Sequence, residues 1–234
     1  MDLFERERRL NNNRKIQEEY MQNNEIVSPM RVGVFIDGFT FRKVNEYYRI
    51  YHDRHSPINF VGLKNWINHE VIKLFKPQGL IAMESHYYHP YEDPRKSGSQ
   101  RYMGTLQFES RLVEAGIQVH YSSIDLTELK RPNTDLIDDA VIFAMYRKID
   151  VAVLLSTQGQ YASLPPQLKM MGVPTLLLGW NFEYPATNYM VKWHTDALLR
   201  ERSSHYVAME KVMGKENGAV SAIVNKMFQK QKAN

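Results

Sequence analysis

The chain has no cysteine, so neither a disulfide framework nor a thiolate metal site can form. It also lacks any apolar run near the roughly 20 residues needed to span a bilayer, which excludes a membrane-spanning helix. The opening residues from Met1 to Arg9 are charged rather than apolar, unlike a secretory leader. Internal repeats and low-complexity blocks are missing, and so are the GxGxxG, Walker A and GxSxG signatures. These absences leave a globular protein whose expected address is the cytoplasm. Its 234 residues suit one domain of ordinary size with appended arms. A net charge of +4 and a pI near 9.1 are compatible with a polyanionic partner and do not identify one.

What is present is a succession of strand and helix signals. Residues Met1 to Pro29 are polar, charge-mixed and rich in Asn, and read as a helical arm. Val32 to Ile36 is a continuous apolar run, as expected of a strand covered on both faces. Helices are predicted over Thr40–Tyr51, Phe60–Phe75, Gln100–Ala115, Asp135–Arg147 and Tyr161–Met171. Strands are predicted over Gly79–Tyr88, Ile117–Tyr121, Val151–Leu155 and Pro174–Leu178. This alternation predicts an α/β fold, a mainly parallel sheet with helices on both faces. Residues 1–30 form the arm, 31–200 the domain, and 201–234 a basic tail, helical or disordered, with Lys215, Lys226, Lys230 and Lys232.

Three segments are placed where such a sheet binds ligands, beyond the carboxyl ends of its strands. Asp37 ends the first apolar strand and precedes Gly38, where an acid serves either chemistry or a helix N-cap. Asp135, Asp138 and Asp139 open a helix; Asp135 and Asp139 are one turn apart on one face. The macrodipole explains one acid there, whereas three suggest a hard divalent cation, Mg²⁺ or Mn²⁺. In the third segment, Ser156-Thr157-Gln158-Gly159-Gln160, amides stand where acids are expected. Hydroxyls and amides can still hydrogen-bond phosphate, sugar or base.

Other groups are weaker candidates. The pairs Lys130-Arg131, Arg95-Lys96 and Arg42-Lys43, with Arg101, flank the site as steering charges or plain solvated surface. Tyr87, Tyr88, Tyr91 and Tyr102 are available for base stacking or for packing. His86 and His89 are three residues apart on a strand, hence on opposite faces with no third ligand in view, which makes a structural role the stronger reading.

In order, Phe35-Ile-Asp37-Gly38, then Lys130 to Asp135 with Asp139, then Val153-Leu-Leu-Ser156 leading to Tyr161 resemble the NYN domain, the LabA-like branch of the PIN-like ribonucleases. The segments Gly172-Val173 and Leu176 to Gly179 are similar to that family's last core strand, and the resemblance spans Arg31 to Ala197. It implies a three-layer α/β/α sandwich and hydrolysis of RNA phosphodiesters with Mg²⁺ or Mn²⁺. By the same resemblance, Asp37, Asp135 and Asp139 are catalytic and Asp37, Asp135 and Asp138 hold the metal. The substrate falls to Thr40, Ser156, Thr157, Gln158, Gln160, Lys130 and Arg131. Two departures bear on activity: Thr40 stands where the family commonly has Asn, and Gln158 and Gln160 replace the two aspartates of the family's SGDxDF. Three readings stay open: a weakened metal-dependent ribonuclease, an RNA-binding pseudo-nuclease, and a module that captures a protein partner or a second copy through the arm or the tail.

Overall fold

The computed structural model describes residues 28–90, 99–122, 133–185, 189–214 and 219–229. Residues 1–27 of the expected arm, the loop with Arg95 and Lys96, the pair Lys130-Arg131, and tail residues Lys215, Lys230 and Lys232 lie outside the described residues.

The first strand, β1 (Met30–Asp37), leads into helix α1 (Gly38–Glu46), which runs on into a π-helical turn, Tyr47–Tyr51. Then follow α2 (Phe60–Phe75), β2 (Ile81–Pro90), α3 (Ser99–Glu114), β3 (Gln118–Ser122), α4 (Thr134–Met145) and β4 (Val151–Leu155). After a short 3₁₀ turn come α5 (Leu164–Met170) and β5 (Thr175–Gly179). The chain closes with strands β6 (Phe182–Pro185) and β7 (Met190–Trp193), helix α6 (Ala197–Arg202), β8 (His205–Ala208), α7 (Met209–Met213) and α8 (Ala219–Lys226).

Six strands form one sheet in the order β3-β2-β1-β4-β5-β8, and every pairing is parallel. Order runs outward one way from β1 and the other way from β4, so the topological switch lies between those two strands. Both central strands are apolar because both faces are covered: all five residues of β4 are buried. Alternation along β1 divides the core. Val32, Val34 and Ile36 pack with α1, α2 and the C-terminal elements, whereas Phe35 packs with α4, α5 and α6. The result is the expected three-layer α/β/α sandwich. Among the described residues no helix is long and apolar enough to cross a membrane.

Two local expectations are corrected. The helix expected over Tyr161–Met171 begins only at Leu164, because Pro165 and Pro166 occupy its first turn, where no amide hydrogen is needed. The boundary at residue 200 divides what the structure joins. Strand β8 pairs with β5, and Met209, Met213, Val224, Met227 and Phe228 are buried in the main core. Helix α8 lies so close to α2 that a Cβ on Gly62 would run into the backbone carbonyl of Lys226. Only a residue without a side chain fits that crossing.

Candidate functional site

The switch between β1 and β4 opens at their carboxyl ends, beside Asp37 and the segment after Leu155. Odd parity along β1 turns Asp37 toward the α4 side, as it turns Phe35. The next residue, Gly38, passes against β2 so closely that a Cβ there would strike the Tyr88 carbonyl. Asp37 thereby enters helix α1 as its N-cap, accepting from the Phe39 N–H at 3.2 Å.

Asp37 is only 4% exposed, and its oxygens are occupied by the protein. The hydroxyls of Thr40 and Ser156 donate to the same oxygen, Oδ2, at 2.6 and 3.0 Å. Thr40 in turn accepts from the Thr157 N–H at 3.3 Å, and Ser156 accepts from the Gln158 N–H at 3.1 Å. These hydroxyls tie β1, α1 and the loop after β4 into one buried cluster. Burial pushes the Asp37 carboxyl above its ordinary range, and the hydroxyl and backbone donors oppose that only in part. Burial also raises the Tyr161 hydroxyl, with the charge of Asp37 adding to the effect, and that hydroxyl accepts from the Asn133 N–H at 3.1 Å.

The acids of α4 form a different group. Asn133 caps the helix, and Asp135 and Asp138 are exposed on its outer turns. Asp139 faces the sheet, where Oδ2 accepts from the Tyr88 hydroxyl at 2.9 Å and lies 3.5 Å from His120 Nδ1. Burial, then the charge and hydrogen bond of Asp139 and the charge of Asp135, raise the Tyr88 hydroxyl far above a free phenol.

The structure therefore brings Asp37 together with Thr40, Ser156 and Thr157, and Asp139 together with Tyr88 and His120. Among the described residues no three His, Asp or Glu side chains converge where one ion could be held. The donor set does not fit Mg²⁺ or Mn²⁺. Such an ion takes carboxylate and water oxygens at about 2.0–2.1 Å in an octahedron. At Asp37 it would displace hydrogen bonds that contribute about 1.5–3 kcal/mol each when made to a charged group. It would also sit in a buried hydroxyl cluster with one carboxylate to offset its charge.

Thr40, Ser156 and Thr157 are only 1%, 0% and 3% exposed, so they frame the site from within instead of lining it. Gln158 and Gln160 remain half-buried at its edge. Tyr88 packs and hydrogen-bonds inside, as Tyr87 does. The sequence reading missed His120 and Tyr161. Register with Tyr88 sets His120 on the α4 side, and Tyr161 packs in the same cluster from the 3₁₀ turn, so neither neighbourhood could be read from local pattern.

No protein-family model matches the chain, and no curated protein matches it. Among solved structures, the chain is similar to a protein of unknown function from Vibrio parahaemolyticus, with a TM-score of 0.51 at 14% identity over 77% of this chain and 93% of that one. At that identity the likeness concerns the fold alone: another chain arranges a comparable α/β sandwich over nearly its whole length.

Proposed function

We propose that this protein binds single-stranded RNA at the β1/β4 switch without hydrolysing it. The observation that carries the reading is the Asp37 carboxylate, buried and held by Thr40, Ser156 and the Phe39 N–H. A nuclease acid has to offer its oxygens to a metal or to water. Asp37 offers them to its own protein, and Asp135 and Asp138 stand exposed on α4. At the third position Gln158 and Gln160 supply amides, which donate to and accept from base edges, sugar and phosphate and, being uncharged, hold a hydrated cation much less well than aspartates. The choice of RNA rests on the NYN resemblance and on the +4 charge.

Retention of a labelled single-stranded RNA on the full chain tests this, with Mg²⁺ or Mn²⁺ and with EDTA. Retention is expected to fall with salt, to be the same in EDTA, and to weaken when Gln158 and Gln160 are both changed to Ala; the RNA should stay intact. Absence of retention at low salt would remove the RNA reading. Mn²⁺-dependent cleavage that disappears in Asp37→Asn would restore the hydrolytic one, with Asp37, Asp135 and Asp139 as its acids.

A further inference from the structure

Strands β2 and β3 carry a pair of imidazoles that the RNA reading does not use. His86 and His120 project from the same face, and His86 Nδ1 lies 3.0 Å from His120 Nε2. Each ring has a carboxylate behind its other nitrogen. Glu84 Oε1 is 3.6 Å from His86 Nε2, and Asp139 Oδ2 is 3.5 Å from His120 Nδ1. His86 is 1% exposed beneath Phe35 and Phe143, and its Nε2 makes no hydrogen bond. His120 is 31% exposed and stacks on Tyr88.

Two neutral imidazoles satisfy this arrangement badly. If His120 Nε2–H donates to His86, then the bare Nδ1 of His120 faces the Asp139 carboxylate. If His86 Nδ1–H donates to His120, then the bare Nε2 of His86 is buried facing Glu84. Each tautomer sets a lone pair against a carboxylate. A cation between the inner nitrogens resolves both ends at once, since each outer N–H then points at its acid. Metal-bound histidines commonly donate their second N–H to a carboxylate in this way. With metal–nitrogen distances of 2.0–2.1 Å, an N···N separation of 3.0 Å corresponds to an angle of about 95° at the metal, near that of adjacent ligands.

We propose that His86 Nδ1 and His120 Nε2 are the two protein ligands of a Zn²⁺-class divalent ion. Water completes the coordination on the open side of His120. Imidazole suits Zn²⁺, Ni²⁺ and Cu²⁺ and disfavours the Mg²⁺ and Mn²⁺ that the acids suggested. Asp139 becomes a positioning residue, itself held by the Tyr88 hydroxyl at 2.9 Å, and Glu84 plays the same part for His86. The site lies on β2 and β3, on the other side of β1 from β4, and the inference does not rest on the RNA reading.

Calorimetric titration of the tag-free full chain, stripped with a chelator, tests it with Zn²⁺ alone. One Zn²⁺ is expected to bind per chain and to raise the melting temperature. His120→Gln should weaken binding at least tenfold and cancel the thermal shift while its circular dichroism matches the parent. Asp139→Asn should weaken it about tenfold. His86→Gln should abolish binding; if that buried change unfolds the chain, His120→Gln alone decides. No heat up to millimolar Zn²⁺, or undiminished binding in His120→Gln, overturns the proposal, and the pair then shares a proton and no metal.

Discussion

Replacing Thr40 by Val keeps the side-chain shape and removes the hydroxyl around which the candidate site is organised. That hydroxyl donates to Asp37 Oδ2 at 2.6 Å and accepts from the Thr157 N–H at 3.3 Å, all of it buried. A hydrogen bond to a charged group contributes about 1.5–3 kcal/mol, and an orphaned buried N–H costs about 1–3 kcal/mol. With partial relaxation we expect a net loss of roughly 3 kcal/mol, or about 6–12 °C in melting temperature for a chain of this size. Denaturant unfolding at pH 7 and pH 4 measures it.

The sign of the pH effect follows from Asp37. Burial raises its folded-state pKa. Its stabilising contribution is therefore full below the unfolded carboxyl value and is lost as pH rises through the folded one. Removing the Thr40 donor raises the folded value further, so the cost of Thr40→Val should grow toward pH 7 and shrink toward pH 4. In an Asp37→Asn background, where the remaining bond is between neutral groups worth about 1 kcal/mol, the same change should cost about 1–2 kcal/mol less. A cost equal at both pH values, or a cycle additive within about 0.5 kcal/mol, would refute the hydroxyl–carboxylate account.

Gly62→Ala ordinarily gains about 1 kcal/mol in a helix interior. Here the added methyl meets the Lys226 backbone, so thermal melting should show a loss of several degrees. Arg31 pairs with Asp150 at 2.6 Å, and both side chains are about half exposed, at 45% and 40%. The Arg31 hydrogen bond holds the Asp150 carboxyl below its usual range. Stability from the pair is present above the unfolded carboxyl value and lost as pH falls through the lowered one. After discounting for solvent screening, Arg31→Met should cost no more than about 1 kcal/mol at pH 7, fading in strong acid, by urea unfolding.

Much of the sheet was legible because its central strands are buried on both faces. Val151–Leu155 carries its place in its composition, as does α2, whose bounds match the expected Phe60–Phe75. The edge was not legible. Strand β8, His205–Ala208, is short and half-buried throughout, without an apolar run or clean alternation, and its role comes from pairing with β5. The β6–β7 hairpin was missed too: Phe182 and Trp193 stack together beside Tyr47, a tertiary arrangement invisible to local pattern.

The candidate site divides along the same line. Asp37 was found from its strand, but its hydroxyl partners include Ser156, 119 positions away. The parity argument put His86 and His89 on opposite faces, and His86 indeed lies under Phe143 whereas His89 lies near Glu109. What parity along one strand could not supply was the partner on the next. The register of β2 with β3 sets His120 opposite Tyr88 and diagonal to His86.

The central claim is that Asp37 is engaged by the protein and unavailable to a catalytic metal. Titrating Mn²⁺ into ¹⁵N-labelled protein tests it through paramagnetic broadening of the amides from Asp37 to Thr40 and from Ser156 to Gln158. The account predicts that these signals broaden no more in the parent than in Asp37→Asn. Broadening at those amides in the parent that vanishes in Asp37→Asn would contradict it.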